Sequence, residues 1–113
     1  MQILVVDDEP SIREGLRDAL RLAGHTTAAC ESSEMAICLL PYVDAVICDG
    51  LGGACWDVVD AAVGAEKAIC LFTGDEEIQH EAAMVCVPCV AKPAGVGELL
   101  VALGHGAMVE VGR

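Results

Sequence analysis

Aromatic side chains are almost absent from this chain. Among 113 residues there is one Trp, one Tyr and one Phe, so a core must be filled in small units by Ala, Val, Leu, Ile and Cys. Positive charge is scarce as well: six Lys and Arg stand against eighteen Asp and Glu, for a net charge of −12. Nucleic-acid binding needs a basic footprint, so that class is set aside. The acidic excess instead favours solubility and cation binding. No apolar run approaches the roughly 20 residues of a membrane helix, so no membrane association is expected. The N-terminus has no basic segment and reaches Asp7-Asp8-Glu9 almost at once, so no signal peptide is expected.

What is present is a repeated alternation. Residues 2–6 read as a fully buried strand, and a helix follows from Pro10 or Ser11 to about Ala23 with Gly24 as its stop. A short strand at 26–30 leads to a second helix capped by Ser32 or Ser33, ending near Leu40 before Pro41. Residues 45–48 form the third strand, and Gly50 to Gly53 a loose loop. A helix is expected near 55–63, a strand at 68–72 and an acidic helix at 75–84. The fifth strand lies within 85–91, interrupted by Pro88, and a last helix covers 96–103. Strands without polar alternation imply a parallel sheet covered on both faces. Right-handed crossovers make it doubly wound, α/β with three layers. One domain is expected over 1–113, with its core at about 2–103 and an irregular tail over 104–113.

Such sheets carry their site beyond the carboxyl ends of the strands. Asp7 and Asp8 follow Ile3-Leu4-Val5-Val6, Asp49 follows Ala45-Val46-Ile47-Cys48, Thr73 follows Leu71-Phe72, and Lys92 follows Cys89-Val90-Ala91. Clustered carboxylates repel, so either one stays protonated or a cation neutralises them. Oxygen ligands without His or paired Cys favour Mg²⁺. A carboxylate can also attack phosphorus, with an ammonium offsetting charge on the phosphoryl oxygens.

In this ordered set the chain resembles the response-regulator receiver domains of two-component signalling, over about residues 2–103. The resemblance implies a flavodoxin-like five-stranded sheet in the order 2-1-3-4-5 and a stand-alone, chemotaxis-regulator-like module in the cytoplasm. It implies that Asp49 accepts a phosphoryl group from a histidine kinase or histidine phosphotransfer protein. Asp7, Asp8, Asp49 and the Leu51 backbone carbonyl would then hold Mg²⁺, with Thr73 and Lys92 contacting the phosphoryl group and the Lys92–Pro93 bond cis. Chemistry on other molecules is not expected, only phosphotransfer to the chain itself and its reversal, with output through an unknown downstream protein. Two departures stand out. The position three before the lysine, usually aromatic, is Cys89, and the acceptor is followed by Gly52-Gly53 where an apolar residue and a proline are usual. They motivate an alternative, a non-phosphorylated module acting through constitutive contacts. A small Mg²⁺-dependent phosphatase is a third reading, weakened by the lack of a carboxylate two residues beyond Asp49.

Other features have plainer readings. Seven cysteines, an odd number, with Cys48 and Cys70 inside strand patterns, read as free thiols in a reducing compartment. Cys86-Val87-Pro88-Cys89 has redox or metal-pair spacing but lies in a strand-like run, so structural thiols are expected. Arg13, Arg17 and Arg21 recur every fourth residue, as on a solvated helix face or a docking edge. Asp75, Glu76, Glu77 and Glu81 make the fourth helix acidic, so a partner meeting it should be basic or apolar. Trp56 is expected near Asp49.

Overall fold

The computed structural model describes residues 1–104. Five strands and five helices alternate: β1 (Gln2–Val6), α1 (Pro10–Leu22), β2 (Thr26–Cys30), α2 (Ser33–Leu39), β3 (Ala45–Cys48), α3 (Cys55–Gly64), β4 (Ala68–Thr73), α4 (Glu76–Met84), β5 (Cys89–Ala91) and α5 (Val96–Ala102). All pairings are parallel, in the order β2-β1-β3-β4-β5. This is the doubly wound, three-layer sheet expected from the sequence. Of the expected irregular tail, residues 105–113 lie outside the described residues.

The absence of polar alternation in β1, β3 and β4 follows from burial on both faces. Ile3, Val5, Ala45, Ile47, Cys70 and Phe72 pack with Leu16 and Leu20 of α1 and Leu99 of α5. Leu4, Val6, Val46, Cys48, Ile69 and Leu71 pack on the other face with Ala36, Val58, Ala62 and Ile78 from α2, α3 and α4. Each fully buried Leu, Ile or Val contributes about 1.5–3 kcal/mol. Small strand residues let the helices sit close with almost no aromatic filling. Among the described residues no helix is long and apolar enough to cross a membrane.

Local chemistry sets the boundaries. Pro10 opens α1, where its missing N–H forfeits no bond, and Gly24 follows its end at φ 93°. Ser32 caps α2 by accepting from the Met35 N–H at 3.2 Å. Asp75 caps α4 by accepting from the N–H groups of Glu77 (2.9 Å) and Ile78 (3.3 Å).

The second helix ends at Leu39, just before Pro41, as expected, and a 3₁₀ turn over Leu40–Tyr42 follows it. Three expectations are corrected. Gly50 to Gly53 is not a loose loop: Leu51–Gly53 form a 3₁₀ turn closed by the Gly53 N–H to Gly50 O (2.9 Å) and the Ala54 N–H to Leu51 O (3.1 Å). Thr73 is the last residue of β4 rather than the first beyond it. The fifth strand starts only after Pro88, whose carbonyl accepts from the Leu71 N–H at 2.9 Å.

Candidate functional site at the carboxyl edge of the sheet

Register brings the acids together. Val6 pairs with Cys48 across β1 and β3, so the chain leaves both strands side by side at Asp7 and Asp49. The Asp49 N–H donates to Val6 O at 2.8 Å and the Asp7 N–H to Cys30 O at 3.1 Å, which fixes both backbones. On the far side of β4, Thr73 pairs with Ala91, and Lys92 follows with its N–H on Thr73 O at 3.1 Å.

Lys92 sits two strands from Asp49 and three from Asp7, about 10 and 14 Å of backbone separation. Its long stem closes that gap. Nζ lies 2.8 Å from Asp49 Oδ1 and 2.9 Å from Asp7 Oδ2. The remaining oxygens are also held: Asp7 Oδ1 accepts from the Glu9 N–H at 2.9 Å and Asp49 Oδ2 from the Leu51 N–H at 3.0 Å. Asp7 is only 2% exposed, so these donors stabilise a charge that burial alone would disfavour. Asp8 is exposed and completes the cluster: one oxygen from each of Asp7, Asp8 and Asp49 falls within 4.8 Å of the others.

Burial alone pulls the Lys92 ammonium pKa down. Hydrogen bonds to Asp49 and Asp7, and their charges, outweigh it, and the net is a rise above the ordinary lysine value. Nζ also lies 5.5 Å from the centre of the Phe72 ring, a cation–π contact. The neighbouring Cys48 thiol is pushed well up by burial, then by Cys55 and Asp49, so it stays neutral beside the carboxylates.

Thr73 is at the same edge, held by the start of α4. Its hydroxyl oxygen accepts from the Asp75 N–H at 3.0 Å, and among the described residues it makes no hydrogen bond to Asp49 or Lys92. Thr73 O accepts from Gln79 Nε2 at 2.9 Å, tying α4 to the end of β4. Gly50 explains the close approach: a β-carbon there would meet Ile78 Cδ1 at 2.7 Å and Thr73 Oγ1 at 3.0 Å. The Leu51 carbonyl is engaged by Ala54, and Leu51 adopts φ 50°. Leu51 and Asp8 line one cavity of about 220 Å³ with Glu31, Ser32, Ser33 and Ala54. A larger cavity, about 340 Å³, lies between α3 and α4 and contains none of the five site residues. Size is outweighed here by chemistry, since among the described residues only the strand-end cluster combines converging charges with a buried carboxylate.

All seven cysteines are free; Cys38 and Cys86 are exposed and Cys89 is half-buried. Burial raises the Cys89 thiol pKa, the opposite of a redox thiol. Cys89 lines a cavity of about 200 Å³ with Gln79, Ala83, Val87 and Ala91, where no aromatic ring is present. The Lys92–Pro93 bond is cis.

Four participants were not legible as such in the sequence. Phe72 fell in a strand run, Gln79 within an acidic helix, Gly50 in a loop and Arg13 in a charged row. Arg13 Nη1 in fact donates to Asp7 O at 2.8 Å, and Arg21 Nε to Thr27 Oγ1 at 3.1 Å. Arg13 therefore braces α1 against the end of β1, half-buried, while Arg21 stays exposed and ties α1 to β2 at the surface.

By sequence, no family model matches the chain and no curated protein matches it. Solved structures do. A response regulator receiver domain protein from Clostridium thermocellum is 21% identical, with a TM-score of 0.79, covering 96% of this chain and 95% of that one. The chemotaxis response regulator CheY4 of Vibrio cholerae is 23% identical, with a TM-score of 0.73, covering 92% of this chain and 96% of that one. A response regulator receiver protein from Pseudomonas putida is 23% identical, with a TM-score of 0.77, covering 92% and 95%.

The chain has the receiver-domain fold.

The strand order β2-β1-β3-β4-β5 agrees with that fold, and the acid cluster lies at the carboxyl ends of the strands. The donor set suits Mg²⁺ within the receiver fold, because the clustered atoms are all carboxylate oxygens.

Proposed function

We propose that the chain is a receiver module of a phosphorelay in which Asp49 accepts a phosphoryl group. The observation that carries this reading is the Lys92 ammonium bridging Asp49 and Asp7 at 2.8 and 2.9 Å, beside a third carboxylate. An Asp49 oxygen forms the new bond to phosphorus. The phosphorus–nitrogen bond of a phosphohistidine breaks, and the imidazole keeps the electron pair. The donor is a histidine kinase or histidine phosphotransfer protein. Asp7, Asp8, Asp49 and the Leu51 carbonyl would hold Mg²⁺, which when bound offsets the negative charge of the phosphoryl oxygens.

Lys92 is already within hydrogen-bond reach of Asp49 and needs little movement to meet a phosphoryl oxygen. The Thr73 hydroxyl accepts from the Asp75 N–H and can still donate its own O–H to another. With the Gln79 bond to Thr73 O, it connects the site to α4. The module works in the cytoplasm, in keeping with its unpaired thiols, and passes its signal to another protein. Its chemistry is confined to its own acceptor.

The test is intact-mass measurement after incubation with acetyl phosphate and Mg²⁺. One phosphoryl group is expected on the parent and none on Asp49→Asn. A phosphoryl group that survives Asp49→Asn, or none on the parent, overturns the reading.

A second reading, a constitutive binding module, is favoured by Cys89 at the switch position and by Gly52 and Gly53 after the acceptor. Trp56 lines a cavity with Gly52 and Gly53 of the turn after Asp49, so its fluorescence separates the two. A change with Mg²⁺ and a further one with beryllium fluoride supports the phosphoryl switch; a flat response to both supports the module.

A further inference from the structure

The fold leaves a second concave surface that phosphoryl chemistry does not use. The cavity of about 340 Å³ between α3 and α4 is lined by Trp56, Val59, Asp60, Glu81, Val85 and Val87. A neighbouring cavity of about 270 Å³ shares Trp56 and Glu81 with it and adds Asp75, Glu77 and Ile78, so the two make one groove. Trp56, Val59, Asp60 and Val63 fall at i, i+3, i+4 and i+7 along α3, which places them on one helix face. Val63 is 62% exposed and Val85 61%, large apolar side chains left in water. An apolar groove between two helices, rimmed by charge, is a shape that seats an amphipathic helix.

The rim chooses the occupant. Asp60, Asp75, Glu77 and Glu81 are all acidic, and neither cavity is lined by Lys or Arg. An acidic segment or a nucleic acid would meet like charge along this rim. A second copy seated groove to groove would oppose two acidic rims. An amphipathic helix with an apolar ridge and basic flanks satisfies both floor and rim.

We infer that this groove is a docking site for a basic amphipathic helix of another protein. Its apolar ridge seats on Trp56, Val85 and Val87, and its lysines or arginines pair with Asp60, Glu77 and Glu81. The docking needs no phosphoryl group: Asp7, Asp8, Asp49, Thr73 and Lys92 line neither cavity, and the groove is formed in the unmodified chain.

The test titrates the unmodified chain with a synthetic helical peptide of leucine and lysine at heptad spacing. Trp56, the chain's single tryptophan, is the fluorescent reporter, and calorimetry checks the affinity. Saturable binding that weakens with added salt is expected, and a matched leucine–glutamate peptide should not bind. Glu81→Lys should weaken binding about tenfold or more. Glu14→Lys makes the same charge change on α1 and should leave affinity within about twofold. Val85→Glu should weaken it as Glu81→Lys does; circular dichroism checks its fold, and the exposed Glu81 supplies the decisive variant if Val85→Glu does not fold. Equal losses in Glu81→Lys and Glu14→Lys would show attraction by net charge alone and overturn the inference. Binding of the glutamate peptide, or no saturable binding, overturns it too. So does sedimentation showing a dimer that Glu81→Lys or Val85→Glu dissolves, since a second copy would then occupy the groove.

Discussion

Lys92 and Asp49 meet across a strand that contributes neither of them. β4 lies between β3 and β5, yet Nζ and Oδ1 are 2.8 Å apart. The ammonium is also 2.9 Å from Asp7 Oδ2, so one cation holds apart two carboxylates that would otherwise repel.

Removing that cation should therefore destabilise the fold and sharpen its response to Mg²⁺. Breaking a buried pair costs about 3–5 kcal/mol. The Lys92 side chain is 20% exposed and that of Asp49 17%, so solvent screening reduces the expected loss for Lys92→Ala to about 1–3 kcal/mol. Millimolar Mg²⁺ should raise the Tm of Lys92→Ala more than that of the parent. Equal melting temperatures and equal Mg²⁺ responses would contradict this account of the site.

Glycines after Asp49 differ in what they contribute. Gly52 (φ 62°) and Gly53 (φ 105°) have no heavy atom within 4 Å of a built β-carbon, so alanine there meets only backbone strain. Gly52→Ala should cost about 1–2 kcal/mol, and Gly53→Ala more, because its φ lies outside the left-handed basin of ordinary residues. Gly50→Ala acts sterically, by displacing Ile78 Cδ1 and crowding Thr73 Oγ1, at about 1–3 kcal/mol. Denaturant midpoints of the three variants check the order, and a neutral Gly53→Ala would refute it.

Gln79 fastens α4 to β4 by one bond, 2.9 Å to Thr73 O. Gln79→Ala should lower stability by about 1 kcal/mol. Hydrogen exchange should quicken in α4 more than in α1. Uniform exchange across both helices would mean that this bond does not anchor α4.

Stability should fall in alkali through the buried thiols. Burial raises Cys55 from 9.0 to about 11 and Cys70 from 9.0 to about 12. Between those values the folded chain retains protons that the unfolded chain has released, so stability declines as pH rises. Below pH 9.0 this contribution is constant. Lys92, raised above 10.5, adds a loss that begins only past that value. Cys55→Ala should flatten the fall in Tm between pH 9 and 11, where a fall of unchanged steepness would rule out Cys55 as a source.

The elements were legible because their signals are local. Apolar runs marked the strands, and Ser32, Asp75 and Gly24 marked helix ends by their own hydrogen bonds or backbone freedom. Legibility failed where a neighbour decides. Gly50 is needed only because Thr73 and Ile78 crowd it from another strand and helix. Arg13 read as surface because nothing local shows that it will reach the carbonyl of Asp7.

From its residues alone this protein has alternating strands and helices, a core of small apolar side chains, and acids and a lysine at strand ends, since side-chain period and burial are properties of consecutive residues. Strand order and register belong to the folded chain, because they come from pairings between distant segments. Those pairings set Asp7 beside Asp49, brought Lys92 over β4 to both, and turned the Thr73 hydroxyl toward Asp75.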